Sequence, residues 1–494
     1  MKGFCFLSVK KLAKRVGVFL LCAIAASQCF AASATKGSSS DVQEQRKYLE
    51  LINNVYQYIQ YQYVDDVDAK KVYEGAVRGM LESLDDKYSV YLDHDSWREI
   101  TDTTQGNFGG VGLSITKPAS STPEKPAYVE VARPIENSPG YNAGIRAGDK
   151  IIAIDGQDTA PITMSEVLNR LRGEVGTSVT VTIRRGKSDV FERTLVRAII
   201  ENPTVTYALI GATGYLKLSG FSSNTASRVQ EALDSFKKSG FSSLIIDLRD
   251  NGGGLLTSAV DIADKFIDSG TIVSTKSRLR YENETYRASS IKTTVARNIP
   301  IVVLVNGNTA SASEILTGAL KDTHRAYVVG TTTYGKGSVQ YPIQLSEDDG
   351  FKITIARYYS PSDSNIDQVG IVPDREVSFK DFEEEQIEVY QKLLDDDTIY
   401  SYVDAHPDMT EADIASYAIT LQKTYKLDLR VLRKLVRNQV ERTKESAVYD
   451  LDYDLQLQEA LRILAEENIP ELLKHTKTLK ELEQEREAVE PVEA

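Results

Sequence analysis

The stretch Ile299-Pro-Ile-Val-Val-Leu-Val305, followed by Asn306-Gly-Asn-Thr-Ala-Ser-Ala-Ser-Glu314, decides the fold of this chain. Its first part is an unbroken apolar run with the length of a strand, which is typical of a strand buried on both faces of a sheet. A polar turn follows, and we predict a helix over Ser311–Leu320. A strand, a polar turn and a helix in this order indicate an α/β core whose ligands gather at the carboxyl ends of the strands.

Ser311 stands where this predicted helix begins. The first turn of a helix has free backbone N–H groups and the positive end of the helix dipole. A nucleophile at this place has donors beside it for the oxyanion of a tetrahedral intermediate. Serine and threonine are also the usual helix N-cap residues. Taken alone, the serine cluster is therefore better explained by helix capping than by catalysis.

A second stretch, Gly330-Thr-Thr-Thr-Tyr-Gly-Lys-Gly-Ser-Val-Gln340, places Lys336 between two glycines after the apolar run Ala326–Val329. Glycines on both sides allow the backbone to approach another element closely. A lysine in a shielded place loses its proton more easily and can act as a general base. The alternative is a lysine in a solvent-exposed turn, which is the more common situation for this residue type.

A third stretch, Asp247-Leu-Arg-Asp-Asn-Gly-Gly-Gly254, follows the apolar run Ser243–Leu248 and precedes a helix predicted over Leu256–Ile267. Backbone N–H groups in such a glycine turn can point at an anion. The Gly-Lys-Ser/Thr of a phosphate-binding P-loop does not follow, so that interpretation is excluded.

Together these three stretches resemble the carboxyl-terminal processing (tail-specific) protease family of Ser–Lys peptidases. Thr309 and Gly252 depart slightly from the family's common choices. The resemblance implies that Ser311, rather than Ser313, is the nucleophile. It assigns the remaining roles to Lys336 as the general base, Gln340 as the residue that orients the pair, and the backbone N–H groups of Ala312 and Gly254 (with Gly253 as the near alternative) as the oxyanion donors.

The chemistry that this resemblance implies is acyl transfer by a Ser–Lys dyad. Lys336 takes the proton of Ser311 during attack, protonates the leaving amine, and then activates the water that hydrolyses the acyl-enzyme. Glu314 is interpreted as a helix-capping or structural carboxylate, and His324 as a surface or packing residue. The sequence shows no HExxH motif and no carboxylate cluster at ligand spacing, so we expect neither a metal nor another cofactor.

The segment between residues 106 and 200 has short β-runs and glycine turns, with strands predicted at Tyr128–Val131, Lys150–Ile154 and Val179–Ile183 and a helix over Met164–Leu171. Two of its stretches resemble PDZ domains: Phe108-Gly-Gly-Val-Gly-Leu-Ser-Ile115 and Ser138-Pro-Gly-Tyr-Asn-Ala-Gly-Ile-Arg-Ala-Gly-Asp149. A PDZ domain holds a terminal carboxylate with backbone N–H groups while the peptide adds a strand to the sheet. The resemblance assigns that contact to Val111, Gly112 and Leu113, and a pocket for a nonpolar last side chain to Val167 and Leu171.

The N-terminus has the layout of a secretory signal peptide: basic residues within 1–15, an apolar run over Val16–Ala26, and Ala32-Ser33-Ala34 as a cleavage site. An uncleaved membrane anchor is the alternative. All three cysteines lie inside this leader, which excludes disulfides and a thiol nucleophile in the mature chain. Its removal changes the formal net charge from −13 to −18, which argues against nucleic acid as a partner. We expect a periplasmic or cell-envelope protein.

The expected fold is a crotonase- or Clp-protease-like α/β peptidase core with an inserted PDZ domain and helical N- and C-terminal regions. The predicted divisions are residues 1–34 (signal peptide), 41–105 (N-terminal helices), 106–200 (PDZ domain), 201–376 (peptidase core) and 377–494 (C-terminal helices). The apolar face that recurs through Tyr48–Ile59 either packs in a core or forms a dimer arm.

The predicted function is that of a secreted serine endopeptidase that recognises nonpolar C-termini and cleaves near them. Its expected partners are protein or peptide substrates with free C-termini and further copies of itself, with an adaptor protein as an additional partner that some related enzymes need. Two alternatives remain: a PDZ scaffold with an inactive protease core, and a crotonase-like acyl-binding enzyme. Retention of Ser311, Lys336 and Gln340 together argues against the scaffold.

Overall fold

The computed structural model describes residues 39–118, 121–122, 126–186, 188–378, 384–396, 398–406, 408–442 and 448–489. The predicted signal peptide, residues 1–34, lies outside these ranges. The chain divides into two units, residues 1–85 and residues 86–494. None of the helices in the described ranges combines the length and the apolar character that crossing a membrane requires.

The described part of the first unit consists of two helices, α1 (Ser39–Gln62) and α2 (Ala69–Glu82). α2 begins after Asp68, whose carboxylate accepts the backbone N–H of Lys70 at 2.9 Å and so satisfies a donor that the first turn leaves free. The apolar face of α1 is exposed; the side chain of Tyr58, for example, is 70% exposed. The two interpretations of this face, core packing and a dimer arm, both stay predictions.

The segment that resembles a PDZ domain has a sheet and a core of its own. The elements of residues 86–201 are β1 (Val90–Leu92), α3 (His94–Gln105), β2 (Asn107–Gly110), β3 (Leu113–Thr116), β4 (Val129–Pro134), α4 (Pro139–Asn142), β5 (Lys150–Ile154), β6 (Gln157–Asp158), α5 (Met164–Leu171), β7 (Ser178–Arg185), β8 (Asp189–Val196) and β9 (Ala198–Glu201). The sheet has the order β3-β4-β5-β7-β8, with β6 beside β5, and β2 pairs with β9. Among the described strands β3 pairs only with β4, so it forms an edge of the sheet.

The segment after the PDZ-like domain is built on a mainly parallel sheet of six strands. The elements of residues 205–376 are β10 (Val205–Ile210), β11 (Thr213–Leu218), α6 (Thr225–Ser239), β12 (Ser243–Asp247), α7 (Leu256–Ala263), β13 (Thr271–Ser277), β14 (Glu284–Arg287), β15 (Ile301–Val305), α8 (Ala312–Asp322), β16 (Tyr327–Gly330), β17 (Ser338–Gln344), β18 (Gly350–Tyr359) and β19 (Arg375–Glu376). The order is β10-β11-β12-β15-β16-β19, and every neighbouring pair except β10 and β11 is parallel. The carboxyl ends of β12, β15 and β16 therefore lie at the same edge.

Both faces of this sheet are covered, as the apolar runs predicted. Every residue of β12 and β15 is buried, and alternate residues point to opposite faces. Leu244 and Ile246 belong to the hydrophobic cluster that contains α6, α7 and α8. Ile245 belongs to the cluster on the other face, to which Leu457 from the C-terminal region contributes.

A second sheet includes β17, the strand that follows Lys336 in sequence. Its order is β1-β18-β13-β14, and β17 also pairs with β18. β1 pairs with β18 in antiparallel fashion, with Tyr91 opposite Phe351. A strand in this part of the chain was not predicted, because residues 41–104 were interpreted as mostly helical.

The C-terminal helical region consists of two parts. Its helices are α9 (Glu384–Asp395), α10 (Thr398–Ala405), α11 (Glu411–Tyr425), α12 (Leu429–Glu441), α13 (Leu455–Glu466), α14 (Ile469–Leu472) and α15 (Leu479–Val489). Helices α9 to α12 enclose a hydrophobic cluster of their own. By contrast, α13 packs on the six-stranded sheet, and Leu479 at the start of α15 joins the larger hydrophobic core of that sheet. The predicted C-terminal helical region thus contains helices with a core of their own as well as helices that pack on the sheet of residues 205–376.

Candidate active site

Ser311 lies between the carboxyl end of β15 and the first residue of α8, and its backbone is strained. Its φ of 57° and ψ of −118° lie in a region that residues with a Cβ rarely occupy. Such a conformation costs of the order of 1–3 kcal/mol and persists only where the surroundings hold it. Here the backbone N–H of Ser311 donates to Oε2 of Glu314 at 2.8 Å, and its carbonyl oxygen accepts the N–H of Ile315 at 2.9 Å.

The glycine loop after β12 lies directly beside this serine. A Cβ on Gly253 would stand 2.8 Å from Cβ of Ser311 and 2.9 Å from the backbone N of Ala312, and φ of Gly253 is +102°. Both facts require glycine at this position. Buried Asn251 joins the two segments. Its backbone carbonyl oxygen accepts the N–H of Ala310 at 3.0 Å and the hydroxyl of Ser313 at 2.9 Å.

The two glycines considered as oxyanion donors, Gly253 and Gly254, differ in whether their backbone N–H is already used. The N–H of Gly253 already donates to Oδ1 of Asn251 at 2.9 Å. Within the described ranges, neither the N–H of Gly254 nor that of Ala312 donates a hydrogen bond. These two groups are therefore free to bind an oxyanion, in agreement with the choice of Gly254 over Gly253; their catalytic role stays a prediction.

Lys336 is held in place by the close backbone approach that its two glycines allow. A Cβ on Gly335 would meet the backbone N of Gly370 at 2.8 Å, and one on Gly337 would meet that of Asp367 at 2.7 Å. Gly337 donates its N–H to the carboxylate of Asp367 at 3.1 Å. Lys336 itself is half-buried, so it does not sit in a solvent-exposed turn.

Burial lowers the pKa of Lys336 below the ordinary lysine value, and the positive charge of Lys352 lowers it further. Tyr334, Asp86 and Glu314 act in the opposite direction without outweighing these effects. Nζ of Lys336 lies 4.8 Å from the centre of the ring of Tyr88. The amine therefore loses its proton at a lower pH than an exposed lysine, which is what a general base requires.

The carboxylate of Glu314 connects the serine segment with the lysine segment. Oε2 accepts the backbone N–H of Ser311 at 2.8 Å and that of Lys336 at 2.9 Å. Oε1 accepts the N–H of Gly335 at 2.7 Å and the hydroxyl of Thr333 at 2.5 Å. Burial raises the pKa of Glu314, and these four hydrogen bonds oppose that shift. Glu314 is thus a capping carboxylate, as interpreted, and in addition places the two predicted catalytic residues next to each other.

Three family models match this chain. The model of Peptidase family S41 matches residues 212–377, that of the PDZ domain residues 130–185, and that of the activating protease CtpB N-terminal domain residues 14–96. A carboxy-terminal-processing protease of Bartonella bacilliformis is 36% identical over 362 residues, which cover 72% of this chain and 81% of that protein. The chain belongs to the carboxyl-terminal-processing protease family.

Further relatives have similar names. A carboxyl-terminal-processing protease of Synechocystis is 37% identical over 331 residues, which cover 65% of this chain and 75% of that protein. The solved structure of a photosystem II D1 C-terminal processing protease is 30% identical and covers 66% of this chain and 92% of its own, with a TM-score of 0.38. As a member of the carboxyl-terminal-processing proteases, the chain is a serine-type peptidase with an α/β core, a PDZ domain and helical terminal regions.

Gln340 lies on β17 of this processing protease. Its side-chain Nε2 donates to Oγ of Ser338 at 2.9 Å and to Oγ1 of Thr354 at 3.1 Å. These two bonds use both protons of the amide nitrogen. That Gln340 orients the catalytic pair stays a prediction.

The carboxylate-binding loop predicted in the PDZ domain of the processing protease lies at the beginning of the edge strand β3. Gly112 has a φ of +72°, and a Cβ there would meet Cβ of Ser138 at 2.1 Å. Val111 is buried and Leu113 half-buried. Val167 and Leu171 are 0% and 4% exposed and belong to the core of the domain; that they line a pocket for the last side chain stays a prediction.

Other residues near the site of this processing protease were not singled out from the sequence. The hydroxyl of buried Tyr358 donates to the carbonyl oxygen of Lys336, and Asp86 and Tyr88 approach Lys336 from before the PDZ domain. No motif marks these positions. His324 contacts Thr476 at 2.8 Å, and no group of three or more metal-ligating side chains is found in the described ranges.

Proposed function

We propose that this chain is an exported serine endopeptidase that recognises nonpolar C-termini through its PDZ domain. It cuts near these C-termini through an acyl-enzyme, with Ser311 as the nucleophile and Lys336 as the base. The observation that carries the proposal is the shared acceptor Oε2 of Glu314, which binds the backbone N–H groups of Ser311 and Lys336 at 2.8 and 2.9 Å. It brings a strained serine at a helix start together with a lysine of lowered pKa.

The reaction proceeds by acyl transfer in two halves. Oγ of Ser311 bonds to the substrate carbonyl carbon while its proton passes to the neutral amine of Lys336. The negative charge on the carbonyl oxygen is stabilised by the free N–H groups of Gly254 and Ala312. The ammonium of Lys336 then protonates the leaving amine as the C–N bond breaks. Lys336 next deprotonates a water molecule that attacks the ester, and Oγ takes the proton back.

Substrate recognition rests on the edge strand β3. Because its outer edge is unpaired among the described strands, an extended C-terminal peptide can add to it as a further strand. The loop around Gly112 supplies backbone N–H groups for the terminal carboxylate. The half-buried side chains of Leu113 and Ile115, which pack against the domain core, favour a nonpolar last residue.

Export and self-association complete the proposal. The basic, apolar and small-residue order of residues 1–34 directs the protein to the periplasm or the cell envelope. The exposed apolar face of α1 is a surface for a second copy of the chain. An adaptor protein is a further proposed partner, to be sought in the cell-envelope fraction that contains the protein.

The catalytic proposal is tested with an unfolded substrate that ends in a free nonpolar residue. We expect the wild-type protein to cleave it, and Ser311→Ala and Lys336→Ala to be inactive. Ser313→Ala is the matched control, because Ser313 belongs to the same cluster but its hydroxyl is donated to Asn251. A serine-directed phosphonate should label the Ser313→Ala protein at residue 311. Cleavage by Ser311→Ala would assign the nucleophile elsewhere. If the wild-type protein is inactive, an absent adaptor and a closed PDZ gate are tested before the PDZ scaffold is favoured.

The recognition proposal is tested with the same substrate in two further forms, one amidated at its C-terminus and one ending in aspartate. We expect the free nonpolar form to be cleaved with the highest kcat/KM. Equal rates on all three forms would remove tail recognition from the proposal while leaving the peptidase intact.

Two measurements on the natural protein test export and self-association. N-terminal sequencing of the protein from the cell envelope should give a chain that starts after Ala34, whereas an intact N-terminus would indicate an anchor. Sedimentation should show an oligomer that becomes monomeric when Val55 and Tyr58 of α1 are replaced by serine.

A further inference from the structure

A chain of hydrogen bonds runs from Gln340 to a carboxylate that precedes the PDZ domain in sequence. Gln340 and Thr354 are opposite each other on the paired strands β17 and β18. Nε2 of Gln340 donates to Oγ1 of Thr354 at 3.1 Å, and Oγ1 of Thr354 donates to Oδ2 of Asp86 at 2.6 Å. Residues that are more than 250 positions apart thus share one polar network.

The chemistry of these side chains decides which atom donates and which accepts in each hydrogen bond of the network. An ionised carboxylate only accepts hydrogen bonds, and a hydroxyl has a single proton to donate. Because Thr354 donates its proton to Asp86, its oxygen is left as an acceptor toward Gln340. The NH₂ end of the amide must therefore face Thr354.

Both protons of that NH₂ group are used. One is donated to Thr354 and the other to Oγ of Ser338 at 2.9 Å. The carbonyl oxygen Oε1 is then the remaining polar atom of the side chain, and it is an acceptor only. An acceptor is what a protonated Lys336 needs during the reaction.

The same carboxylate also places an aromatic ring against the lysine. Oδ1 of Asp86 accepts the backbone N–H of Tyr88 at 3.0 Å, and Oδ2 accepts the hydroxyl of Ser89 at 2.6 Å. Nζ of Lys336 lies 4.8 Å from the centre of the Tyr88 ring, a distance at which an ammonium is stabilised by the ring face. Burial raises the pKa of Asp86, but the hydrogen bonds from Ser89, Thr354 and Tyr88 outweigh it, so the carboxylate stays ionised.

We propose that Asp86 is a positioning residue that fixes the amide of Gln340 through Thr354, with its carbonyl oxygen directed to the catalytic amine. This inference rests on the proposed function, in which Gln340 orients the pair of Ser311 and Lys336. The turn before the PDZ domain is then a part of the catalytic apparatus, although it lies outside the stretch matched by the peptidase model, residues 212–377.

The first experiment removes the hydroxyl of Thr354 while keeping the shape of the side chain. Thr354→Val keeps the volume of the side chain but has no hydroxyl, and Thr354→Ser restores the hydroxyl. We expect Thr354→Val to lower kcat about tenfold with little change in KM, as the loss of one orienting hydrogen bond would do, and Thr354→Ser to recover most of it. Tyr341→Phe is the control on the same strand pair, since Tyr341 is 57% exposed, and should behave as wild type.

Asp86→Asn tests the other end of the chain. An asparagine can donate as well as accept, so it no longer forces the hydroxyl of Thr354 to act as the donor. In the Gln340→Ala background, Asp86→Asn and Thr354→Val should change kcat by less than about twofold, because the group they position is gone. An undiminished effect in that background, or wild-type kcat in Thr354→Val, would overturn the proposal.

A measurement that needs no catalysis separates this inference from the proposed function. In the Ser311→Ala protein with ¹⁵N-labelled glutamine, the side-chain amide signal of Gln340, identified by its loss in Gln340→Ala, should exchange slowly with solvent and become fast in Thr354→Val. Rapid exchange before that substitution would overturn the hydrogen-bond chain even if the enzyme cleaves its substrate. Slow exchange in a protein whose wild-type form does not cleave would support the chain and contradict the proposed function.

Discussion

At the scale of single residues, the buried carboxylate of Glu314 organises the site. It is 1% exposed, yet it accepts four hydrogen bonds, two at each oxygen. A carboxylate is the one side chain of this size that accepts at both ends. It also fits the N-terminus of α8, where negative charge is stabilised.

Glu314→Gln should therefore damage both stability and activity. The amide accepts at one oxygen only, so at least one backbone N–H, that of Ser311, Gly335 or Lys336, is left without a partner at a cost of about 1–3 kcal/mol. We expect that loss in the free energy of unfolding measured with urea, together with a large fall in kcat. Unchanged kcat with normal stability would show that the shared acceptor is not needed.

The lowered pKa of Lys336 makes a prediction about pH. Below its pKa the amine is protonated and cannot accept the proton of Ser311, so kcat/KM should rise with pH. The midpoint should lie below the ordinary lysine value of 10.5, because burial and the charge of Lys352 lower the pKa. Lys352→Gln removes that charge and should move the midpoint to higher pH.

The control is Lys474→Gln, which changes the net charge by the same amount at a lysine that pairs with Glu471. It should leave the midpoint unchanged. If Lys352→Gln does not shift the midpoint, the titration seen in kcat/KM belongs to a group other than Lys336.

At the scale of elements, the C-terminal helix α13 holds the glycine loop that contains Gly254. Arg249, in the loop, donates to both oxygens of Asp454 at 2.7 and 2.6 Å and to both oxygens of Asp247 at 2.9 and 2.6 Å. Asp454 also caps α13 by accepting the N–H of Leu457. Arg249 and Asp247 are 11% and 0% exposed at their side chains, so water does not substitute for these contacts.

Asp454→Asn keeps the helix cap, because asparagine is an equally good N-cap residue, but removes half of the charged clamp. We expect a loss of about 1.5–3 kcal/mol in the free energy of unfolding, typical of hydrogen bonds to charged groups, and a lower kcat because Gly254 is less well held. Glu466→Ala on the same helix is the control, since its pair with Arg462 is exposed and is worth at most about 1 kcal/mol. Equal effects of the two substitutions would argue against the clamp.

At the scale of the whole molecule, the described residues form separate hydrophobic cores. The catalytic sheet has one on each face, the PDZ domain has its own, and α9 to α12 have another. We expect the catalytic sheet with its two faces, the PDZ domain and the α9–α12 helices to unfold as separate cooperative units.

Leu432 and Leu457 are both 0% exposed, but they lie in different cores. Leu432→Ala should destabilise the α9–α12 helices by about 2–5 kcal/mol and leave kcat on a short peptide unchanged. Leu457→Ala should cost a similar amount in the catalytic unit and reduce activity near its unfolding temperature. Calorimetry with activity assays at each temperature checks this, and loss of peptide cleavage in Leu432→Ala at 25 °C would contradict it.

Local patterns were enough to predict much of the fold. α5 (Met164–Leu171) and β5 (Lys150–Ile154) have the predicted bounds, because periodicity and caps lie within the element itself. The apolar runs correctly predicted strands buried on both faces. β1 was missed, because it has only three residues and so offers no periodicity to detect.

The sequence by itself determined the family, the α/β core, the PDZ domain and the motifs that bear Ser311, Lys336 and the glycine loop, because each is written in a few consecutive residues. Only the tertiary structure decided which acceptor joins Ser311 to Lys336, which glycine N–H is left free, and that Asp86 and Asp454 reach the site from either end of the chain. These depend on contacts between residues far apart in sequence. Such contacts follow from the packing of the sheets and leave no local periodicity to detect.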